Sequence, residues 1–131
     1  MYVLDTSALL AHYLAEEGAD FVNALITHDK AYVAAVRWLE FRVRIKGEPE
    51  AKATVRLYEE AVKGTISITR EIAARAFEIR EVSSKRVPSV DALIAASASK
   101  LGYQLVHRDS HFRVIPARVL KQQMLPMKSG N

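Results

Sequence analysis

Short apolar stretches rich in β-branched and aromatic residues recur at positions 2–4, 32–34, 65–68, 104–106 and 113–115, and segments with helical periodicity separate most of them. The helical pattern covers 6–16, 19–27, 36–46, 50–62, 71–82 and 89–101. Gly47, Gly64 and Gly102 stand where C-terminal caps belong, and Pro49 and Pro88 stand where helices begin. Parallel neighbours need crossover connections, usually helices, so this alternation predicts an α/β protein whose central, mainly parallel sheet is covered on both faces. In such sheets ligands bind beyond the carboxyl ends of the strands.

No internal repeat, low-complexity stretch or linker interrupts the pattern. A chain of 131 residues suits one domain with one core. We expect residues 1–124 to fold as that domain, with 125–131, which contains Pro126, Lys128, Ser129 and Gly130, as a flexible tail.

Half of the residues are hydrophobic and 26% are charged, as in ordinary globular proteins. There is no cysteine, which excludes disulfides, thiolate-held zinc and thiol nucleophiles, and suits a reducing cytosol. The longest apolar runs, 31–36 and 92–96, are far too short for a bilayer core of about 30 Å. The chain opens on a strand pattern with no basic, then apolar, leader, so a cytoplasmic location is expected. Nineteen Lys and Arg against fifteen Asp and Glu give a net charge of +4, which favours polyanionic partners.

Candidate chemistry lies in four acids. Asp5 ends the first strand and opens the first helix, where it can also act as an N-cap. Glu40 shares a helical face with Val36 and Val43, and an ion pair with Arg44 at i+4 is its simplest structural role. Asp91 falls in the first turn of the helix that follows Pro88, in line with Ile94 and Ala95 on its buried face. Asp109 follows the strand at 104–106 and the dipeptide His107-Arg108, and would otherwise serve only as a turn residue. Four carboxylates crowded at one sheet edge repel or hold protons unless a cation sits among them. Oxygen-rich donors suit Mg²⁺ or Mn²⁺. Arg37, Arg42, Arg44, Lys46 and Arg108 flank the acids, either as solvated charges or as contacts for a nucleic-acid backbone. The chain contains neither a GxxxxGK[ST] phosphate loop nor a GxGxxG fingerprint.

At these residues the sequence resembles the PIN-domain family, in particular ribonuclease toxins of the VapBC type. Asp5-Thr6-Ser7-Ala8-Leu9-Leu10 is similar to the family's opening motif, and Glu40 falls where its mid-chain acid falls. Val90-Asp91-Ala92-Leu93-Ile94-Ala95-Ala96 is similar to its most recognisable helix, and Leu105-Val106-His107-Arg108-Asp109-Ser110-His111-Phe112 to its closing strand, acid and aromatic. The resemblance implies an α/β/α fold of PIN type and Mg²⁺-dependent endonucleolytic cleavage of RNA, with Mn²⁺ as a substitute. Asp5, Glu40, Asp91 and Asp109 would be metal ligands or orient water, with Ser7, and less strongly Thr6 and Arg108, in support. It further implies a homodimer and a small antitoxin that covers the acidic groove, for which an Arg fork would suit the carboxylates.

The sequence departs from the pattern at His107, where Thr or Ser is common, and at His111, where another acid is common. His107 is either a phosphate donor or a plain strand-end residue. Apolar residues on 19–27 and 50–62, such as Phe21, Leu25, Val55 and Leu57, are candidates for interfaces. The competing reading is a catalytically inactive PIN-like RNA-binding or assembly module. Phosphotransfer by an aspartate nucleophile is a third, but Asp5-Thr6-Ser7 lacks the second aspartate two residues on that phosphatases of the haloacid-dehalogenase type use.

Overall fold

Along each central strand, neighbouring residues enter different cores, as the two-residue period of a strand requires. In the computed structural model, which describes residues 1–127, Val3 and Leu105 join one cluster of buried side chains, and Leu4 and Val106 join the other. The strands are β1 (Tyr2–Leu4), β2 (Ala31–Ala34), β3 (Gly64–Ile66), β4 (Gln104–His107) and β5 (Gln122–Met124), all parallel and in the order β3-β2-β1-β4-β5. Helices α1 (Thr6–Tyr13), α2 (Ala19–Thr27), α3 (Ala35–Arg44) and α4 (Ala51–Ala61) cover one face. The other is covered by α5 (Arg70–Val82) and α6 (Ser89–Leu101). This is the expected three-layer α/β/α arrangement. Among the described residues no helix is long and apolar enough to cross a membrane.

The chain winds outward from β1 through β2 to β3, then returns to β4 on the other side of β1 and continues to β5. The winding therefore reverses between β1 and β4, and the connections leaving their carboxyl ends part there to open a crevice. Asp5 directly follows β1, and Asp109 follows β4 by two residues.

Local chemistry moves several expected boundaries. Positions 113–115 are not a strand: Asp109 accepts from the His111 N–H at 2.9 Å, which caps a 3-10 turn over Ser110–Val114 and buries Phe112. The fifth strand is instead Gln122–Met124, whose polar side chains carry no strand pattern. It is held by its ladder with β4 and by Gln122, which donates to the Phe112 carbonyl at 2.8 Å. Gly102 caps α6 with φ +70° as expected, but Gly47 and Gly64 have no positive φ, and Gly64 begins β3. Leu125, assigned to the tail from sequence, is 3% exposed, and its N–H donates to the His107 carbonyl at 2.7 Å. Its side chain lies 3.3 Å from where a Cβ on Gly18 would stand, so this packing, like the φ of +96° there, calls for glycine. Residues 128–131 of the expected tail lie outside the described residues.

Candidate active site

Helix α3 turns Arg37, Trp38 and Phe41 toward the core, the spacing of one helical stripe, which the buried cap residue Ile45 continues. A guanidinium on that stripe is costly to bury unless carboxylates meet it. Three do. Arg37, 3% exposed, donates from Nη2 to Asp91 Oδ1 at 2.6 Å and from Nη1 to Glu40 Oε2, and its Nε lies 2.8 Å from Asp5 Oδ1. This last contact is an ion pair without hydrogen-bond alignment, so Arg37 Nε and Asp5 Oδ1 each remain without a hydrogen bond. Burial disfavours the charged guanidinium, but Asp5, Asp91 and Glu40 together more than compensate and hold its pKa above the usual arginine value.

Asp5 is both cap and site residue. As N-cap of α1, its Oδ2 accepts from the Ser7 N–H at 3.1 Å and from the Ser7 hydroxyl at 2.7 Å. The Ser7 Oγ in turn accepts from the Arg108 backbone N–H at 2.8 Å, which ties the end of β1 to the end of β4. Ser7 thus holds the first acid in place. Thr6 does not: its Oγ1 is buried with no hydrogen-bond partner. Glu40 sits at the rim, its side chain 40% exposed, and pairs with Arg37 at i−3 rather than with Arg44.

Asp91 links this group to the remaining acid. His111 Nδ1 lies 3.4 Å from Asp91 Oδ2 and 3.3 Å from Asp109 Oδ1. One ligand atom from each of Asp91, Asp109 and His111 falls within 4.8 Å of the others, a donor set that fits a divalent cation. Asp91, Asp109 and His111 are the residues that could hold one, with the Asp5 oxygen left unaligned beside them.

Two of the flanking basic residues turn away from the role of meeting RNA. Arg37 faces the acids, and Arg108 donates to Glu16 at 2.6 Å with its side chain 11% exposed. His107 is fully buried and belongs to the packing rather than to a phosphate site. Its Nδ1 accepts from the Asp109 N–H at 3.1 Å, which leaves Nε2 to donate to Gln122 Oε1 at 2.8 Å. Burial is the main cause that lowers its pKa, and its ring packs at a tilt against Phe112.

The central place of Arg37 was missed from sequence, although two signals were available. It lies at i−3 to Glu40 and at i−4 to the core residue Phe41. The nitrogen of His111 was noted only as a departure from an acid.

Solved structures share this fold. The structure resembles VapBC2 from Rickettsia felis bound to a promoter DNA fragment, with a TM-score of 0.76 at 16% identity over 95% of this chain and 98% of that one. FitAcB from Neisseria gonorrhoeae matches with a TM-score of 0.70 at 22% identity, over 94% of this chain and 97% of that one. VapC20 from Mycobacterium tuberculosis, described as a Sarcin-Ricin loop cleaving toxin, matches with a TM-score of 0.66 at 15% identity, over 86% and 93%. No curated protein matches the sequence. The family model for the PIN domain matches residues 2–117, and the chain therefore belongs to the PIN-domain family.

Proposed function

We propose that this protein is a metal-dependent endoribonuclease and the toxin of a toxin–antitoxin pair. The observation that carries the reading is the joined acid centre, in which Asp91 connects the Asp109–His111 ligand set to Asp5 and Glu40 at the carboxyl edge of a PIN-domain sheet. Asp91, Asp109 and His111 would hold the ion, Ser7 orients Asp5, and Glu40 lies at the open rim of the site. A bound divalent ion supplies Lewis acidity, activating water and neutralising charge on the phosphate. Mg²⁺ is a candidate cofactor, but the imidazole in the set favours Mn²⁺, because Mg²⁺ prefers an all-oxygen shell.

RNA as substrate is supported by the net charge of +4 and by the cleavage activity named for VapC20. An antitoxin partner is supported by the solved complexes of VapBC type that share this fold. A homodimer is supported by exposed apolar side chains, Leu39 at 71%, Leu57 at 66% and Val43 at 51%. On α2 and α4, Val22, Leu25 and Val55 are buried, so among the residues expected for an interface the surface offers chiefly Leu57 and Phe21. A cytoplasmic setting accords with the cysteine-free chain.

One observation favours the second reading, an inactive RNA-binding or assembly module: Arg37 already neutralises part of the acid centre. Cleavage of labelled RNA by the purified chain separates the two. EDTA should abolish cleavage, Mn²⁺ or Mg²⁺ should restore it, and Asp5→Asn, Glu40→Gln and Asp91→Asn should each lower the rate by about a hundredfold or more. Full turnover in excess chelator, or wild-type rates in all three variants, would sink the nuclease reading.

A further inference from the structure

Asp91 faces two ways. Its Oδ1 accepts from Arg37 at 2.6 Å, while its Oδ2 lies 3.4 Å from His111 Nδ1. The acid centre therefore has an inner half, in which Asp5, Glu40 and Asp91 surround a guanidinium, and an outer half of Asp91, Asp109 and His111. Among the described residues no Lys or Arg pairs with Asp109, and His111 is 61% exposed, so the outer half opens to solvent.

We propose that Arg37 is the chain's own counter-cation for the inner half: it competes with divalent ions for Asp5, Glu40 and Asp91, and confines such an ion to the outer half while it stays in place. This rests on the proposed metal-dependent function and on the sequence expectation that Asp5 and Glu40, with Asp91 and Asp109, can also serve as metal ligands. The guanidinium and an ion need the same carboxylate oxygens, and two cations at van der Waals distance repel. Arg37 has a reason to be there at rest, since its position on the buried stripe of α3 leaves it no water to pair with.

The same geometry lets Arg37 leave. Its Nε meets Asp5 at 2.8 Å as a sheltered ion pair without hydrogen-bond alignment, and Glu40 is 40% exposed, so the bond to Asp91 is the one aligned hydrogen bond that is largely sheltered. Asp5 does not depend on Arg37 for its orientation, because Ser7 holds its other oxygen through two hydrogen bonds. Withdrawal of the guanidinium therefore leaves a carboxylate already placed, with one oxygen released. An ion that uses the inner acids binds with an affinity reduced by the fraction of molecules in which Arg37 has withdrawn. The protein thus carries an internal brake on metal loading.

The test is calorimetric titration of Mn²⁺ into the chelator-stripped full chain. Arg37→Met should bind Mn²⁺ about tenfold or more tightly than wild type, and Arg37→Lys, a point charge without the fork, should fall between them. His111→Ala should weaken binding in wild type, because it removes an outer ligand. Equal or weaker binding by Arg37→Met would overturn the competition while leaving the metal reading intact. If Arg37→Met does not fold, Arg37→Lys decides alone: affinity above wild type supports the proposal, and affinity at or below it overturns it. Unchanged binding in His111→Ala would overturn the outer site. No Mn²⁺ binding by wild type or either Arg37 variant would overturn the metal reading and this inference together.

Discussion

Two polar knots are set into this domain, and they are satisfied in opposite ways. In the knot on α1, α2 and α4, His12 Nε2 donates to Asn23 Oδ1 at 2.9 Å, and Nδ1 then accepts from the Tyr58 hydroxyl at 2.6 Å, with the two rings edge-on at 5.4 Å. Each group there has its partner without any carboxylate or guanidinium. Burial, with Tyr13 as a lesser cause, pushes the Tyr58 pKa up to about 12 and keeps its hydroxyl a donor. In the acid knot a single guanidinium serves three carboxylates, and one oxygen of Asp5 is left without a hydrogen bond. A closed neutral network serves packing; an excess of one sign at a sheet edge keeps a capacity to bind something else.

Removing one member of each knot should expose that difference, most strongly at the charged one. In EDTA, Arg37→Met should cost about 3–5 kcal/mol of stability by urea denaturation, because it strands carboxylates that lose their cation. A variant as stable as wild type would mean that the acids need no counter-cation, and the contrast would vanish. Ser7→Ala comes next, with an expected loss of about 1–3 kcal/mol, since one hydroxyl serves both Asp5 and the Arg108 N–H. A neutral result there would show that the two strand ends are joined by the ladder alone.

The smallest effect is expected in the neutral knot. Tyr58→Phe should cost about 0.5–1.5 kcal/mol near neutral pH. Because the folded pKa of about 12 stands above the ordinary 10.0, the unfolded chain loses this proton first. The Tyr58 contribution is therefore complete below pH 10.0 and is lost as pH rises toward about 12. Wild type should lose stability more steeply than Tyr58→Phe across that window, and parallel curves would show that Tyr58 is not held as a buried donor.

Periodicity carried the helices and the central strands well, because a parallel sheet covered on both faces reads as short apolar runs between amphipathic helices. It failed at the edge. Gln122–Met124 pairs on one side only and has no apolar run to reveal it, whereas 113–115 has the right residues but is turned into a 3-10 helix by the Asp109 cap. Three of the acids were legible for a related reason: Asp5 and Asp109 stand at strand ends and Asp91 at a helix start, places set by local pattern, whereas Glu40 lies in the middle of α3. Arg37 was not, because a charged residue on a helix reads by default as solvent-facing.

Local residue order was enough to determine the α/β/α alternation, the carboxyl-edge placement of Asp5 and Asp109, and the first-turn position of Asp91. Those depend on hydrophobic period, caps and turns, which act over a few residues. Only assembly decided which charges meet. Arg37 reaches Asp91 across 54 residues of chain, and the Ser7 hydroxyl meets the Arg108 backbone across 101. Such pairings are set by strand order and by the burial of one face of α3, where a guanidinium deprived of water is stable only against carboxylates brought in from elsewhere in the fold.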